Sequence, residues 1–267
     1  MMRPDAPNSL VLVAAAPTAA TLAFGLDGSL AAVFTLVGLA ASLAACRAAR
    51  TAGRTPRALW PAVIGLAVLA VLRAPIGSHD LWSYVFYGRM VSHYGVDPYS
   101  AVPASFPNDI VYPLVGWRDT PSGYGPLFTL YSSAVTGVAG GSLLVMRLGF
   151  QLLAAGSVIW CLTTLRRAGR HATLVLVALQ PFIWVSVVNG GHNDAVVAAL
   201  LLAAVVAFGV GRVGRAAALG GIAALIKLSA LPCSWSFLSW RCCLPGDDGA
   251  PQPSWLRVRL RPCLPVV

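Results

Sequence analysis

Two short polar segments of this chain carry residue types that can do acid–base chemistry. The first is "GSHDLWSYVFYGRM" (77–90), in which His79 and Asp80 directly follow an apolar run. A carboxylate at the start of a helix is held rigidly, so Asp80 can act as a general base at a lipid–water boundary. The alternative is that Ser78 or Asp80 only caps the helix. One position can serve both purposes.

The second segment is "NGGHNDA" (189–195), which joins two apolar runs and opens the later one. Its two glycines allow a backbone to approach a ligand closely. The start of a helix favours a bound phosphate, and His192 can donate a hydrogen bond to a phosphate oxygen or protonate it. The alternative is that Asn193 or Asp194 caps the helix.

The two segments together contain the ligand types of a metal site, namely His79, Asp80, His192 and Asp194. Nothing in the spacing of these residues requires a metal ion. We therefore expect no metal and no other cofactor.

Aromatic and short polar residues fill the stretches "YGVDPYSAVPASFP" (94–107) and "WRDTPSGYGP" (117–126). This mixture suits a sugar, which presents apolar ring faces and hydroxyl edges. The alternative is an aromatic belt at a membrane interface.

Helical geometry and composition select the expected substrate-binding residues. Along the helix predicted from Asp80, Tyr84 shares the face of the aspartate, whereas Arg89 falls nearly opposite. The alternative for Arg89 is an ion pair with Asp97, and Asp119 forms either a structural ion pair with its neighbouring arginine or part of the site. We expect substrate contacts from His79, Tyr84, Asp119, Tyr124, Asn193 and Asp194.

The composition indicates that membrane-spanning helices position these residues. Hydrophobic residues make up 57% of the 267 residues, and the mean hydropathy is +0.74. These values are typical of polytopic membrane proteins. We expect an all-α membrane region over residues 1–232 with seven spans: 9–26, 29–46, 58–76, 142–164, 172–189, 195–211 and 216–232.

Charge predicts the orientation of these spans. The connections 47–57, 166–171 and 211–215 are rich in arginine and contain no acidic residue, which places them in the cytoplasm. The N-terminus is then cytoplasmic, and a large loop over 77–141 lies outside with the candidate residues. Within that loop, the apolar stretch 126–139 is short for crossing a membrane and suits an interfacial helix. The net charge of +10 is spread over short loops, which favours a membrane partner rather than nucleic acid.

Three cations lie near the outer ends of predicted spans, namely Arg73, Arg147 and Lys227. Positive charge is disfavoured on that face, so an anionic partner at headgroup level would explain these residues. The alternative is that each side chain snorkels to the interface. No G-x-x-x-x-G-K-[ST] nucleotide loop occurs in the sequence, and a lipid phosphate is the expected sugar donor.

The tail, 233–267, differs from the rest of the chain. It is rich in Cys, Trp, Pro and Arg and has no run long enough to span a membrane. We expect either a genuine tail or the out-of-frame end of a longer protein. The six cysteines have no C-x-x-C spacing and predict neither a zinc site nor a disulfide framework.

Four motifs in order, "GSHDLWSYVFYGRMVSHYGVDPY", "WRDTPSGYGPL", "NGGHNDA" and "AALIKLSALP", resemble the actinobacterial polyprenyl-phosphate-mannose-dependent alpha-1,6-mannosyltransferases of the GT-C superfamily. The resemblance covers roughly 58–232. It implies a GT-C-like helical bundle that moves mannose from a polyprenyl phosphate onto a growing mannan of a lipoglycan such as lipomannan. Such enzymes place an essential aspartate in the first large extracytoplasmic loop, and the matching residue here is Asp80. Family members usually have more than ten spans, whereas seven are predicted here.

The resemblance also implies a mechanism. Asp80 takes the proton of the acceptor hydroxyl in a single inverting displacement, and no metal is required. Lys227 and His192, then Arg118, are the residues expected to stabilise the leaving phosphate. Two other hypotheses stay open: a non-catalytic fragment or polyprenyl-lipid-binding protein, and a transporter that uses Asp80 and Lys227 for ion coupling.

Overall fold

The protein is helical throughout the part that the computed structural model describes, residues 6–231, and no strand occurs within that range. Each of the seven predicted apolar segments is helical for most of its length. The helices are α1 (Ala6–Phe24), α2 (Gly28–Ala52), α3 (Leu59–Leu72), α4 (Asp80–Ser92), α5 (Pro126–Ala139), α6 (Leu143–Arg167), α7 (His171–Ala178), a π-helix (Ile183–Val188), α8 (Asp194–Gly209) and α9 (Val213–Ile226). The predicted tail, 233–267, lies outside the described residues.

Three of these helices are long and apolar enough to cross a membrane, and α3, α8 and α9 are shorter apolar helices. The three long ones cover Pro7–Phe24, Gly28–Ala52 and Leu143–Arg167. The protein is therefore a helical membrane protein. Leu127, Leu130 and Val138 of α5 are also exposed to the surroundings.

Two of the arginine-rich connections lie together at one end of the helices. Thr55, after α2, is hydrogen-bonded to His171 at the start of α7, with 2.9 Å between Oγ1 and Nδ1. The Arg166 guanidinium at the end of α6 lies 5.6 Å from the centre of the Trp60 ring in α3. Helix α3 begins at this cluster with Leu59 and ends at Leu72, and Asp80 of α4 follows the far end of α3.

Helices α4 and α5 pack tightly side by side and run in the same direction. Gly88 of α4 lies against the backbone of Ser132, where a Cβ atom would overlap the Ser132 carbonyl. One turn further along, the hydroxyls of Ser92 and Thr136 are 2.9 Å apart. The long loop between these helices returns the chain to the starting end of α4, and it carries the second aromatic stretch with it.

The segment predicted as one span over 172–189 is instead broken. Helix α7 ends at Ala178, and a π-helix follows after Pro181. Proline lacks an amide hydrogen and clashes with the preceding turn, so a continuous helix is lost there. The predicted span 172–189 is therefore helical in two pieces rather than as one continuous helix.

Helix α9 also ends earlier than predicted. Its last residue is Ile226, and Lys227 has an extended backbone with φ −150°. The amide of Gly125 donates to the Ile226 carbonyl across 2.9 Å, which ties the loop before α5 to this helix end. Lys227 therefore lies just beyond the end of α9, before a 3-10 turn at Leu228–Ala230.

Candidate functional site

Asp80 is the first residue of α4 and is held from two sides. The indole Nε1–H of Trp117 donates to Oδ1 of Asp80 across 2.8 Å. Oδ2 of Asp80 lies 3.7 Å from Nδ1 of His192, and the aspartate side chain is 33% exposed. Ser78 accepts a hydrogen bond from the Asp80 amide at 3.3 Å. The N-cap residue of α4 is His79, which makes no side-chain capping bond, so the capping alternative for Ser78 or Asp80 was wrong. The carboxylate is thus fixed yet still open to solvent.

The loop before α5 is hydrogen-bonded to the start of α4. His79 Nδ1 is 3.0 Å from the Leu114 carbonyl oxygen. A Cβ atom at Gly116 would lie 2.9 Å from the His79 Cβ, so only glycine fits this approach without displacement. The amide of Trp117 donates to the Ser83 hydroxyl at 3.4 Å. His79 therefore binds the loop segment that places Trp117 next to Asp80.

Trp117 is a site residue that the sequence analysis did not select. It lies 37 positions from Asp80, is 54% exposed, and directly precedes Arg118 and Asp119. Its place at the head of the "WRDTPSGYGP" stretch was the available signal. Local periodicity does not reveal its partner, because the hydrogen bond depends on how the loop folds back.

His192 lies between the two glycines and the α3–α4 loop. Its Nε2 is 3.3 Å from the Ser78 hydroxyl. A Cβ atom at Gly190 would lie 2.7 Å from Cδ2 of the His192 ring, and one at Gly191 would lie 2.7 Å from Cδ1 of Leu81. The two glycines therefore make room for the protein's own packing, and this accounts for them without a ligand.

Asp194 and Lys227 form an ion pair beside this site. The Lys227 ammonium is 2.7 Å from Oδ1 of Asp194, and the side chains are 31% and 55% exposed. Asp194 is the first residue of α8. Asn193 occupies the N-cap position but makes no side-chain capping bond, so that prediction was wrong for Asn193. Asn193 is 1% exposed, and its side-chain Nδ2 and Oδ1 have no hydrogen-bond partner among residues 6–231.

Two tyrosines lie within electrostatic reach of both carboxylates. The rings of Tyr84 and Tyr124 meet edge to face with centroids 4.8 Å apart. Burial raises the pKa of Tyr124 to about 12, with a further contribution from the charge of Asp80. Burial, then Tyr124, then Asp80 raise the pKa of Tyr84 still further. Both phenols therefore stay protonated at neutral pH, and the buried Tyr84 shares a hydrogen bond with Tyr124.

The tertiary structure gives Arg118 and Asp119 different surroundings. The Arg118 guanidinium donates to the carbonyl oxygens of Val115 and Pro113, each at 3.2 Å, and lies over the ring of Tyr112. Asp119 is exposed. Neither side chain is hydrogen-bonded or ion-paired to Asp80, and the roles assigned to them stay predictions.

Arg89 pairs with Asp109 rather than with Asp97. Its Nη2 is 2.8 Å from Oδ2 of Asp109, and the aspartate side chain is fully buried. The hydroxyl of Tyr94 donates to the same oxygen at 2.8 Å. The expected pairing with Asp97 was wrong because the Pro-rich loop carries Asp109 back against α4.

The site therefore has two connected halves. One half holds Asp80 between Trp117 and His192, and the other holds Lys227 beside Asp194. Tyr124 and the neighbouring Gly125, which is bonded to the end of α9, connect them. In the described part of the chain, no three His, Cys or acidic residues lie close enough to share a metal ion. The arrangement offers a fixed base next to donors suited to an anion.

A sequence profile described as "Alpha-(1->6)-mannopyranosyltransferase, N-terminal domain" matches residues 6–242. A probable alpha-(1->6)-mannopyranosyltransferase of Mycolicibacterium smegmatis is 29% identical over 175 residues, 62% of this chain and 29% of that protein. Alpha-(1->6)-mannopyranosyltransferase A of Mycobacterium tuberculosis is 31% identical over 153 residues, 54% of this chain and 29% of that protein.

The enzyme of the same name from Corynebacterium glutamicum is 26% identical over 156 residues, 56% of this chain and 31% of that protein. The chain thus matches less than a third of the length of each of these curated relatives. No solved structure matches it.

Proposed function

The chain belongs to the alpha-(1->6)-mannopyranosyltransferase family, because the profile of that family's N-terminal domain matches most of it, and from this premise we propose that it transfers mannose at the extracytoplasmic face of the cell membrane. The donor is polyprenyl-phosphate mannose, and the acceptor is a growing mannan on a glycolipid. The observation that carries this proposal is the carboxylate of Asp80, held between Trp117 and His192 with Lys227 on the adjoining helix end.

The proposed reaction is one inverting displacement. A carboxylate oxygen of Asp80 accepts the proton of the acceptor hydroxyl while that oxygen attacks the anomeric carbon of the donor mannose. The bond between the anomeric carbon and the phosphate oxygen breaks, and the electron pair leaves with the polyprenyl phosphate. General-base catalysis of this kind contributes about 10²–10⁴-fold.

Charge stabilisation of the leaving phosphate is assigned to Lys227 and His192. Lys227 carries a full positive charge at the end of α9, and His192 can donate a hydrogen bond. Preorganised donors of this type contribute about 10²–10³-fold. Tyr124 supplies a neutral phenol beside both halves, which suits a hydroxyl group of the transferred sugar, and the buried Tyr84 supports its ring.

The proposed orientation places the N-terminus and the arginine-rich connections in the cytoplasm. The GT-C-like arrangement then has seven spans, and α5 lies in the outer interface with Leu127, Leu130 and Val138 against lipid. Support comes from the clustering of basic loops at one end of the helices and of Asp80 and Asp194 at the other.

The test uses membranes that contain the full chain, radiolabelled polyprenyl-phosphate mannose and a mannan acceptor. We expect Asp80→Asn to reduce transfer by about 10²–10⁴-fold, because the amide cannot accept the proton. Asp27→Asn is the matched control, since Asp27 is exposed and makes no side-chain capping bond. Transfer retained in Asp80→Asn would remove Asp80 from this role. Donor binding without any transfer by the wild type would identify a binding protein instead.

A further inference from the structure

The carbonyl groups at the end of α3 accept hydrogen bonds from side chains in other parts of the chain. The last carbonyl groups of a helix have no partner within it and need one when they are buried. Here the carbonyls of Ala70 and Leu72 are met by side chains, together with those of the next residues, Arg73 and Ala74. The donors are Arg147, Gln151 and Asn189.

Asn189 donates to three of these four carbonyls and is fully buried. Its Nδ2 donates to the carbonyls of Ala70 and Arg73, each at 3.0 Å. Its Oδ1 accepts from the amide of Ile76 at 2.7 Å. Ile76 lies four residues before Asp80, so the side chain of Asn189 holds the segment that leads directly to the proposed base.

The backbone of Asn189 leads to the other partner of that base. His192 follows three residues later, and Gly190 and Gly191 between them are confined by neighbouring atoms. Asn189 is thus hydrogen-bonded through its side chain to the segment before Asp80, and its own backbone leads to His192.

Gln151 of α6 is hydrogen-bonded both to the segment after α3 and to Asn189. Its Nε2 donates to the Asn189 carbonyl at 2.7 Å and to the Arg73 carbonyl at 3.0 Å. The side chain is fully buried. Gln151 therefore binds both segments at once, just before each one turns toward the site.

We propose that Asn189 and Gln151 are positioning residues that set the separation between the Asp80 carboxylate and the His192 imidazole. This inference rests on the proposed mannosyl transfer for its consequence in catalysis, but the positioning itself is independent of that function. A displacement of about 1 Å in a reacting constellation reduces rate by about 10²-fold. Loss of these amides therefore acts on turnover rather than on substrate affinity.

The kinetic test compares Asn189→Leu and Gln151→Met with wild type in the same membrane assay. We expect kcat to fall about 10²-fold while the KM for the lipid-linked donor stays within about twofold. Thr18→Val is the matched control, because Thr18 is equally buried but its hydroxyl has no partner among the described residues. An unchanged kcat in folded Asn189→Leu and Gln151→Met would overturn the proposal.

A second measurement does not depend on activity. The Ser78 hydroxyl and His192 Nε2 are 3.3 Å apart. In a chain whose six cysteines are replaced by alanine, Ser78→Cys and His192→Cys are joined with a short bifunctional thiol reagent. We expect the rate of cross-linking to fall several-fold when Asn189→Leu is added, and to remain unchanged when Thr18→Val is added. An unchanged rate with Asn189→Leu contradicts the positioning role.

The two proposals fail in distinguishable ways. An inactive wild type that still shows the Asn189-dependent cross-linking would reject mannosyl transfer and retain the positioning role. If Asn189→Leu does not fold, Gln151→Met decides, because it keeps the approximate size of the side chain and removes the donating NH₂ group. Normal kcat and normal cross-linking in that variant would overturn the inference.

Discussion

The indole of Trp117 donates a hydrogen bond to Oδ1 of Asp80 across 2.8 Å, although the two residues are 37 positions apart. The other carboxylate oxygen faces His192. An exposed aromatic residue in a loop thus fixes the orientation of the proposed base. This relationship gives the folded loop, rather than the helix alone, a part in the proposed chemistry.

The first prediction concerns this hydrogen bond. Trp117→Phe keeps a ring at the position and removes the donor. A hydrogen bond to a charged group contributes about 1.5–3 kcal/mol, which corresponds to about 10–100-fold in rate if it orients Asp80 in the transition state. We expect kcat for mannosyl transfer to fall by that factor. Trp160→Phe on α6, also an exposed tryptophan, is the control. Equal activity of Trp117→Phe and wild type would argue against this role.

The second prediction concerns the leaving phosphate. Lys227→Gln removes the positive charge and should reduce kcat by about 10²–10³-fold. Stability should change little, because the ion pair with Asp194 is substantially exposed and such pairs contribute about 0–1 kcal/mol.

Two further variants distinguish the effect of the Lys227 charge from that of its partner Asp194 and of other cations. Asp194→Asn frees the ammonium of Lys227 and should lower the KM for the anionic donor. Arg215→Gln changes a cation beyond the opposite end of α8 and should leave kcat and KM unchanged. Lys227→Gln with normal turnover would assign phosphate stabilisation to other residues.

The third prediction concerns the stability of the loop that carries Trp117. Asp109 accepts hydrogen bonds from the Arg89 guanidinium, the Val111 amide and the Tyr94 hydroxyl. Burial alone would raise the pKa of Asp109, but these hydrogen bonds outweigh it and hold the pKa below its usual value. Asp109→Asn should cost about 3–5 kcal/mol at neutral pH, because Arg89 is left buried without its partner charge.

The pH dependence follows from the lowered pKa. The stabilisation by the Asp109 carboxylate is fully present above the unfolded value of about 3.9 and is lost as pH falls through the lower folded value. Thermal unfolding of purified wild type and Asp109→Asn should therefore differ strongly at pH 7 and progressively less below about pH 4. A difference that stays constant down to pH 3 would contradict this assignment.

Much of the helical framework could be predicted from the sequence. The helix predicted over 126–139 is confirmed as Pro126–Ala139, since proline and glycine bound a short apolar run. The helix predicted to open at Asp80 is also confirmed. Both depend on interactions between residues close in the chain, which local composition records.

The partners of the charged residues could not be predicted in the same way. Arg89 was matched with the nearby Asp97, but the structure pairs it with Asp109, 20 residues away. Lys227 was predicted near the outer end of a span, and the structure adds that it follows the end of α9 and pairs with Asp194, 33 residues earlier. The periodicity of an apolar run indicates a helix but not the residue at which packing ends it.

The sequence by itself determined the all-helical membrane character, the order of the apolar segments and the position of Asp80 at the start of a helix. Only the tertiary structure decided which side chains surround that carboxylate, because the 93–125 loop folds back over α4 and brings Trp117 to it. The buried amides of Asn189 and Gln151 likewise gained their partners only when α3, α6 and the π-helix packed together. The sequence specifies the side-chain types, but their contacts depend on how distant backbone segments pack together.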